Sequence, residues 1–236
     1  MGKTVLITGA TRGIGLALAK KFKSEGYNVV GTCVSSINSI EELKKQNIDI
    51  IKADVSSFNE MNGVFRYAKN KYGKIDVVIN NAGVALNQKF ILDVTEDEFD
   101  RIINVNLKGV FNVTKLAVNE MLSSGGVIIN VSSIFALKGG SCEAVYSASK
   151  GGALAFTRAV AEELERSDIS VCSVILGLID TDMNKHLTNE EKLEFVIESG
   201  LKKIPTASEV ASKIFNISQK DNLNGKNYKI FTGKFL

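Results

Sequence analysis

Apolar runs bounded by polar or glycine-rich segments recur near residues 4–8, 28–33, 48–52, 76–80, 126–131, 170–176 and 228–232. Short continuous runs rich in Val and Ile predict strands buried on both faces. Between them the spacing changes. Ile14, Leu18 and Phe22, for example, recur every fourth position, which places them on one stripe of a helix. Strands alternating with amphipathic helices predict the α/β class, with a parallel sheet covered by helices on both faces.

Composition narrows this picture. A chain of 236 residues, 44% hydrophobic, can bury one sizeable core. No Pro-, Gly- or Ser-rich linker, internal repeat or low-complexity tract divides it, so 1–236 is read as a single domain. Its 29 basic and 26 acidic side chains give a net charge of +3 without a long basic tract, which argues against a nucleic-acid partner. Cys33, Cys142 and Cys172 are far apart and His186 is the one histidine, so no metal site is expected. The expected locale is cytoplasmic, without membrane attachment: there is no signal peptide, no apolar run of about 18 residues, and Leu6 breaks a myristoylation pattern after Met1-Gly2.

Two segments carry chemistry. At the N-terminus, Val5-Leu6-Ile7 enters Thr8-Gly9-Ala10-Thr11-Arg12-Gly13-Ile14-Gly15 and then the first helix. Glycines allow close backbone approach, and the free amides of a helix N-terminus attract a pyrophosphate. A dinucleotide site on Gly9, Thr11, Arg12, Gly13, Ile14 and Gly15 is therefore expected. The second segment is Tyr146-Ser147-Ala148-Ser149-Lys150, preceded at Ser133 by the strand pattern Val127-Ile128-Ile129-Asn130-Val131-Ser132-Ser133. Residues four apart share a helix face, so Lys150 is expected to lie beside the Tyr146 phenol and favour its ionised form. Tyr67-Ala68-Lys69-Asn70-Lys71 has the same spacing, but it lies in a polar stretch with no serine-ended strand before it, and is read as a solvated helix end.

These motifs, in this order over nearly the whole chain, resemble the short-chain dehydrogenase/reductase family. The resemblance implies a Rossmann-type doubly wound sheet and hydride transfer between a nicotinamide dinucleotide and a carbonyl or alcohol. It implies a catalytic set of Asn106, Ser133, Tyr146 and Lys150, in which Asn106, rather than the nearby Asn104, supports a proton-relay water. Adenine would contact Asp54 and Val55, which close the run Ile48-Asp49-Ile50-Ile51 at a strand's C-terminal edge, where ligands of open sheets bind. Asn81, Ala82 and Gly83 follow the next strand and would line the cofactor site, as would Gly177, Ile179 and Thr181, with Tyr146 and Lys150 holding the ribose. The family's proline before Gly177 is Leu176 here. Asp180 and Asp182 are read as loop carboxylates. No acid ends the second strand, Asn28-Val29-Val30-Gly31-Thr32-Cys33, which continues into Val34-Ser35-Ser36. With Arg12 suited to a phosphate and Ser35 nearby, NADP(H) is preferred to NAD(H).

Substrate and assembly are read mainly from the resemblance. The overall pattern is similar to bacterial 3-oxoacyl-[acyl-carrier-protein] reductases, although Ser124 and Ser167 stand at their carrier-docking basic positions and the C-terminal Gly-Gly is missing. Locally, Gly140-Ser141-Cys142-Glu143 and Asp182-Met183-Asn184 look like reductases of the 5-aminopentanone modification on elongation factor P, where Glu143 would attract a cationic amine. A small ketone, sugar or steroid substrate and a non-catalytic dinucleotide sensor complete the alternatives. The small-residue run Gly151-Gly152-Ala153 after Lys150 fits helices that pair between subunits, implying a homodimer or homotetramer.

Overall fold

The computed structural model describes residues 2–35, 40–86, 88–185 and 187–235; Ser36 and His186 lie outside them. Among the described residues, seven strands form one sheet: β1 (Thr4–Ile7), β2 (Asn28–Cys33), β3 (Ile48–Lys52), β4 (Val77–Asn80), β5 (Gly126–Ser133), β6 (Ile169–Leu176) and β7 (Asn227–Ile230). Their order is β3-β2-β1-β4-β5-β6-β7, and every pairing is parallel. The chain winds outward from β1 to β3, then returns beside β1 and winds the other way. Parallel strands need crossovers, and helices supply them.

The helices are α1 (Gly13–Ser24), α2 (Ile40–Lys45), α3 (Phe58–Tyr72), α4 (Glu96–Ile103), α5 (Gly109–Met121), α6 (Phe135–Lys138), α7 (Ala144–Glu163), α8 (Asn189–Ser199) and α9 (Ala207–Ser218). On one face Leu18 and Phe22 of α1 and Val210 and Ile214 of α9 pack on Val5, Ile7, Val29 and Val174. On the other, Met61 and Phe65 of α3, Val113 and Leu116 of α5 and Val160 of α7 cover Leu6, Val30, Val78 and Val171. Alternate residues of each strand thus feed opposite cores, which is why the runs read as continuously apolar. Each predicted strand is present to within a few residues.

Between the cores, Asn80 donates from Nδ2 to Asn130 Oδ1 at 2.8 Å, and Asn130 donates to Thr157 Oγ1 at 2.8 Å. This buried chain ties β4, β5 and α7 together directly beneath the strand ends. Such polar groups are tolerated in a core because each is paired.

Strand polarity and the reversal of order between β1 and β4 open a crevice at the C-terminal edge of the sheet, the position where ligands of doubly wound folds bind. Among the described residues, no helix is long and apolar enough to cross a membrane.

Candidate active site

A cavity of about 940 Å³ occupies that crevice. Its first wall is the glycine turn. Gly9 and Gly13 have φ of +66° and +52°, backbone that a Cβ would strain, and Gly9, Thr11, Arg12, Gly13 and Ile14 all line the cavity. Gly15 differs from its sequence reading: it does not line the cavity, and a Cβ there would meet the Gly9 carbonyl oxygen at 2.0 Å. Its role is to let α1 pack against the turn. Substituting Gly15→Ala should therefore destabilise the fold by about 1–3 kcal/mol through overpacking, read as a thermal midpoint lowered by several degrees; an unchanged midpoint would contradict the packing argument.

The turn is held from the neighbouring strand by two residues. Thr8 Oγ1 accepts from the backbone of Asn81 and Ala82, both at 3.0 Å, and Asn81 Nδ2 donates to the carbonyls of Thr8 and Gly9. Thr8 was not singled out from sequence, and a lone threonine after a strand gives no signal of such a bond. Ser35, Asp54, Val55, Asn81, Ala82 and Gly83 continue the wall.

The opposite wall is built by β5, α7 and the segment after β6. Strand β5 runs through Ser133, in register with Leu176 of β6. The substitution of proline by Leu176 leaves that residue as an ordinary strand position, its carbonyl accepting from Ile134 N at 2.8 Å. Gly177, Ile179 and Thr181 line the cavity beyond it, and Thr181 Cγ2 would lie 3.6 Å from a Cβ on Gly13, so this loop reaches across to the glycine turn. Asp182 is exposed and pairs with Lys185, and Asp180 bonds through its backbone to Pro205; neither carboxylate joins a metal-ligand cluster among the described residues.

Ser133, Tyr146 and Lys150 meet in this wall. The Ser133 hydroxyl hydrogen-bonds the Tyr146 phenol and Ser133 Oγ accepts from Phe135 N at 3.2 Å. Lys150 Nζ donates to the Val131 carbonyl at 3.0 Å and lies 5.8 Å from the centre of the Tyr146 ring. One sequence expectation changes here. Lys150 was expected to pull the Tyr146 pKa down, but burial pushes the phenol up to about 12, with the Glu143 charge adding to the rise and Ser133 opposing it. Burial also lowers Lys150 to about 8. Desolvation penalises each charged form, and the ammonium is turned to a backbone carbonyl instead of the phenol oxygen. Tyr146 is therefore a protonated acid at neutral pH.

Asn106 stands behind the same wall. It lies in a π-helical turn, Asn104–Lys108, between α4 and α5, fully buried and behind the cavity wall. Its Oδ1 accepts from Val84 N at 2.8 Å, while Nδ2 donates to Val84 O at 2.8 Å and Ser149 Oγ at 3.1 Å. A Cβ on Gly83 would sit 3.4 Å from both Asn106 Oδ1 and Lys150 Nζ. Asn106 thus fastens the loop after β4 to α7 beside Lys150, with its amide engaged by protein groups. The π-turn that aims it inward is a frequent accompaniment of functional sites.

The second Tyr-x-x-x-Lys set resolves as a surface cluster on α3. Lys71 Nζ bonds Asp49 Oδ2 at 2.8 Å and Tyr67 Oη at 3.1 Å, and these partners hold it above the ordinary lysine range. The same spacing gives opposite electrostatics at Lys71 and Lys150 because only one of them is buried.

The wall fits a dinucleotide on its own geometry. Helix α1 has no side-chain cap and no acid in its first turn, whereas α3, α4, α8 and α9 are capped by Ser57, Thr95, Thr188 and Thr206. The α1 amides and dipole face the glycine turn with no acid in the helix's own first turn, a setting suited to a phosphate.

The family described as short chain dehydrogenase matches residues 3–192. The chain is 34% identical to a 3-oxoacyl-[acyl-carrier-protein] reductase of Staphylococcus aureus, covering 91% of this chain and 89% of that protein. It is 36% identical to the protein of the same name from Thermotoga maritima, covering 86% and 83%. The Chlamydia trachomatis protein of that name is 30% identical, covering 89% and 88%.

Proposed function

The chain belongs to the short chain dehydrogenase family of NAD(P)-dependent oxidoreductases, and from that premise we propose that it reduces a ketone to an alcohol with NADPH, using Tyr146 as the proton donor. The observation that carries this reading is the convergence of Ser133, Tyr146 and Lys150 on one cavity wall opposite the glycine turn. The nicotinamide supplies a hydride to the carbonyl carbon when bound. Tyr146 gives its phenolic proton to the carbonyl oxygen, so that two electrons and two hydrogens reach the carbonyl. Ser133 donates a hydrogen bond to the same oxygen and stabilises its developing charge. Lys150, anchored to Val131, places positive charge beside both the phenol and the ribose side of the cavity.

Asn106 ties the loop after β4 to α7 beside Lys150 in this mechanism, and proton return by water is proposed to run on the Lys150 side. The relatives' names make a 3-oxoacyl thioester the first substrate class to assay, with acetoacetyl-CoA as the simplest probe. The protein is proposed to work in the cytoplasm as a homodimer or homotetramer, as one domain.

Preference for NADPH rests on Arg12, which lines the same cavity as Val34 and Ser35, with no acid at the end of β2. Arg12→Ser should raise KM for NADPH about tenfold or more, the loss of one charge-assisted phosphate contact, and leave KM for NADH nearly unchanged. Equal effects on both cofactors would remove the argument for a 2′-phosphate contact.

A further inference from the structure

We propose that Ser149 is a positioning residue of the reduction: acting through Asn106, it sets the loop after β4 against the turn of α7 that carries Tyr146 and Lys150. This rests on the reading of Tyr146 as proton donor and adds a residue behind the same wall.

Ser149 is fully buried and does not line the cavity. A hydroxyl has one hydrogen to give, and Ser149 gives it to the Tyr146 backbone carbonyl at 2.7 Å. Towards Asn106 it can therefore only accept, and it does so from Nδ2 at 3.1 Å. That choice fixes the direction of the amide. With Nδ2 turned to Ser149 and to the Val84 carbonyl, Oδ1 faces Val84 N at 2.8 Å, so both backbone groups of Val84 are paired. A reversed amide would set oxygen against the Val84 carbonyl and nitrogen against its N–H, leaving polar groups unpaired at a cost far above that of a formed bond.

The consequence reaches the cavity. Asn81, Ala82, Gly83 and Val84 form the loop that lines its first wall, and Asn81 is bonded in turn to Thr8 and Gly9 of the glycine turn. Ser149 is where this assembly meets the catalytic helix. Packing agrees: Gly152, on the same face of α7, receives Leu107 of the π-turn, and a Cβ there would meet Leu107 Cδ2 at 3.1 Å.

The helix repeats the device at Thr157, equally buried, which donates to the Ala153 carbonyl at 2.7 Å and accepts from Asn130 Nδ2 at 2.8 Å. Thr157 and Asn130 also do not line the cavity. The pairs differ in what the asparagine holds: Asn130 is bonded to Asn80 inside the sheet, whereas Asn106 holds the cofactor loop. Thr157 is thus a matched control for loss of a buried hydroxyl from α7.

The test compares Ser149→Ala with Thr157→Val in the NADPH-dependent reduction of acetoacetyl-CoA. Thermal midpoints should fall in both. In Ser149→Ala kcat should drop about tenfold, the worth of one buried hydrogen bond spent on orienting reactants, with KM for the ketone close to the wild-type value because its oxygen is held from the Ser133 side. Thr157→Val should keep wild-type kcat. Adding Ser149→Ala to Asn106→Ala should lower kcat no further, since residues that act as one unit are not additive. Wild-type kcat in folded Ser149→Ala, an equal loss in Thr157→Val, or an undiminished further loss in the Asn106→Ala background overturns the proposal. If Ser149→Ala does not fold, Ser149→Cys, which keeps the side-chain shape and is a weak acceptor, replaces it in each comparison. If the wild type does not reduce acetoacetyl-CoA, NADPH fluorescence titration decides: weaker binding in Ser149→Ala than in Thr157→Val supports the proposal, and equal binding overturns it. Tyr146→Phe separates the two readings: turnover persisting in that variant removes the proton-donor role alone, while wild-type kcat in Ser149→Ala beside an inactive Tyr146→Phe removes the Ser149 role alone.

Discussion

Replacing Tyr146 with phenylalanine is expected to lower kcat about a thousandfold while NADPH binding persists, because the change removes both the proton and a hydrogen-bond donor to the carbonyl oxygen. The ring remains, so the cavity wall keeps its shape, and Ser133 retains its backbone bond to Phe135. Steady-state rates with acetoacetyl-CoA or a ketone, paired with NADPH fluorescence titration, read the two effects separately. The phenol is held at about 12, so the wild-type reduction rate should show no loss from Tyr146 ionisation across the neutral and mildly alkaline range. A variant that keeps wild-type turnover would remove Tyr146 from the chemistry.

Lys150→Met carries the second large effect, a fall of about a hundredfold in kcat/KM from losing a positioned charge at the reacting centre. Methionine keeps the length of the side chain but leaves the Val131 carbonyl without its 3.0 Å donor. The sign of the pH dependence follows from burial: with its pKa lowered to about 8, Lys150 is charged below that pH and neutral above it. Wild-type reduction should therefore decline as pH rises through about 8, and the residual activity of Lys150→Met should lack that limb. An identical alkaline limb in the variant would assign the titration to another group.

These two residues also mark what a linear sequence reveals. Strands β1 to β7 could be placed because each apolar run is long enough to be buried on both faces, and the Tyr146 helix because a serine-ended strand leads to it. The decoy at Tyr67 could be set aside from its polar surroundings, and it proves to be an exposed ion-pair cluster. Spacing alone could not give the direction of the Tyr146 and Lys150 shifts. It establishes that two groups are near each other, whereas the shifts depend on how much solvent each has lost. Nor could it give the bonds of Asn106 to Val84 and Ser149, or of Thr8 to Asn81 and Ala82, since these join segments brought together only by the sheet.

Glu143 could be noticed in the sequence, but that its Oε2 is buried without a partner is a property of the packed cavity.

The most direct measurement is NADPH oxidation, followed by its absorbance in parallel with NADH, with acetoacetyl-CoA and a short methyl ketone as acceptors and the alcohol quantified. A strong NADPH preference, with one alcohol formed per NADPH consumed and no formation by Tyr146→Phe, is the predicted result. Confirmed NADPH binding without reduction of any ketone by the wild type, or reduction undiminished in Tyr146→Phe, would contradict it.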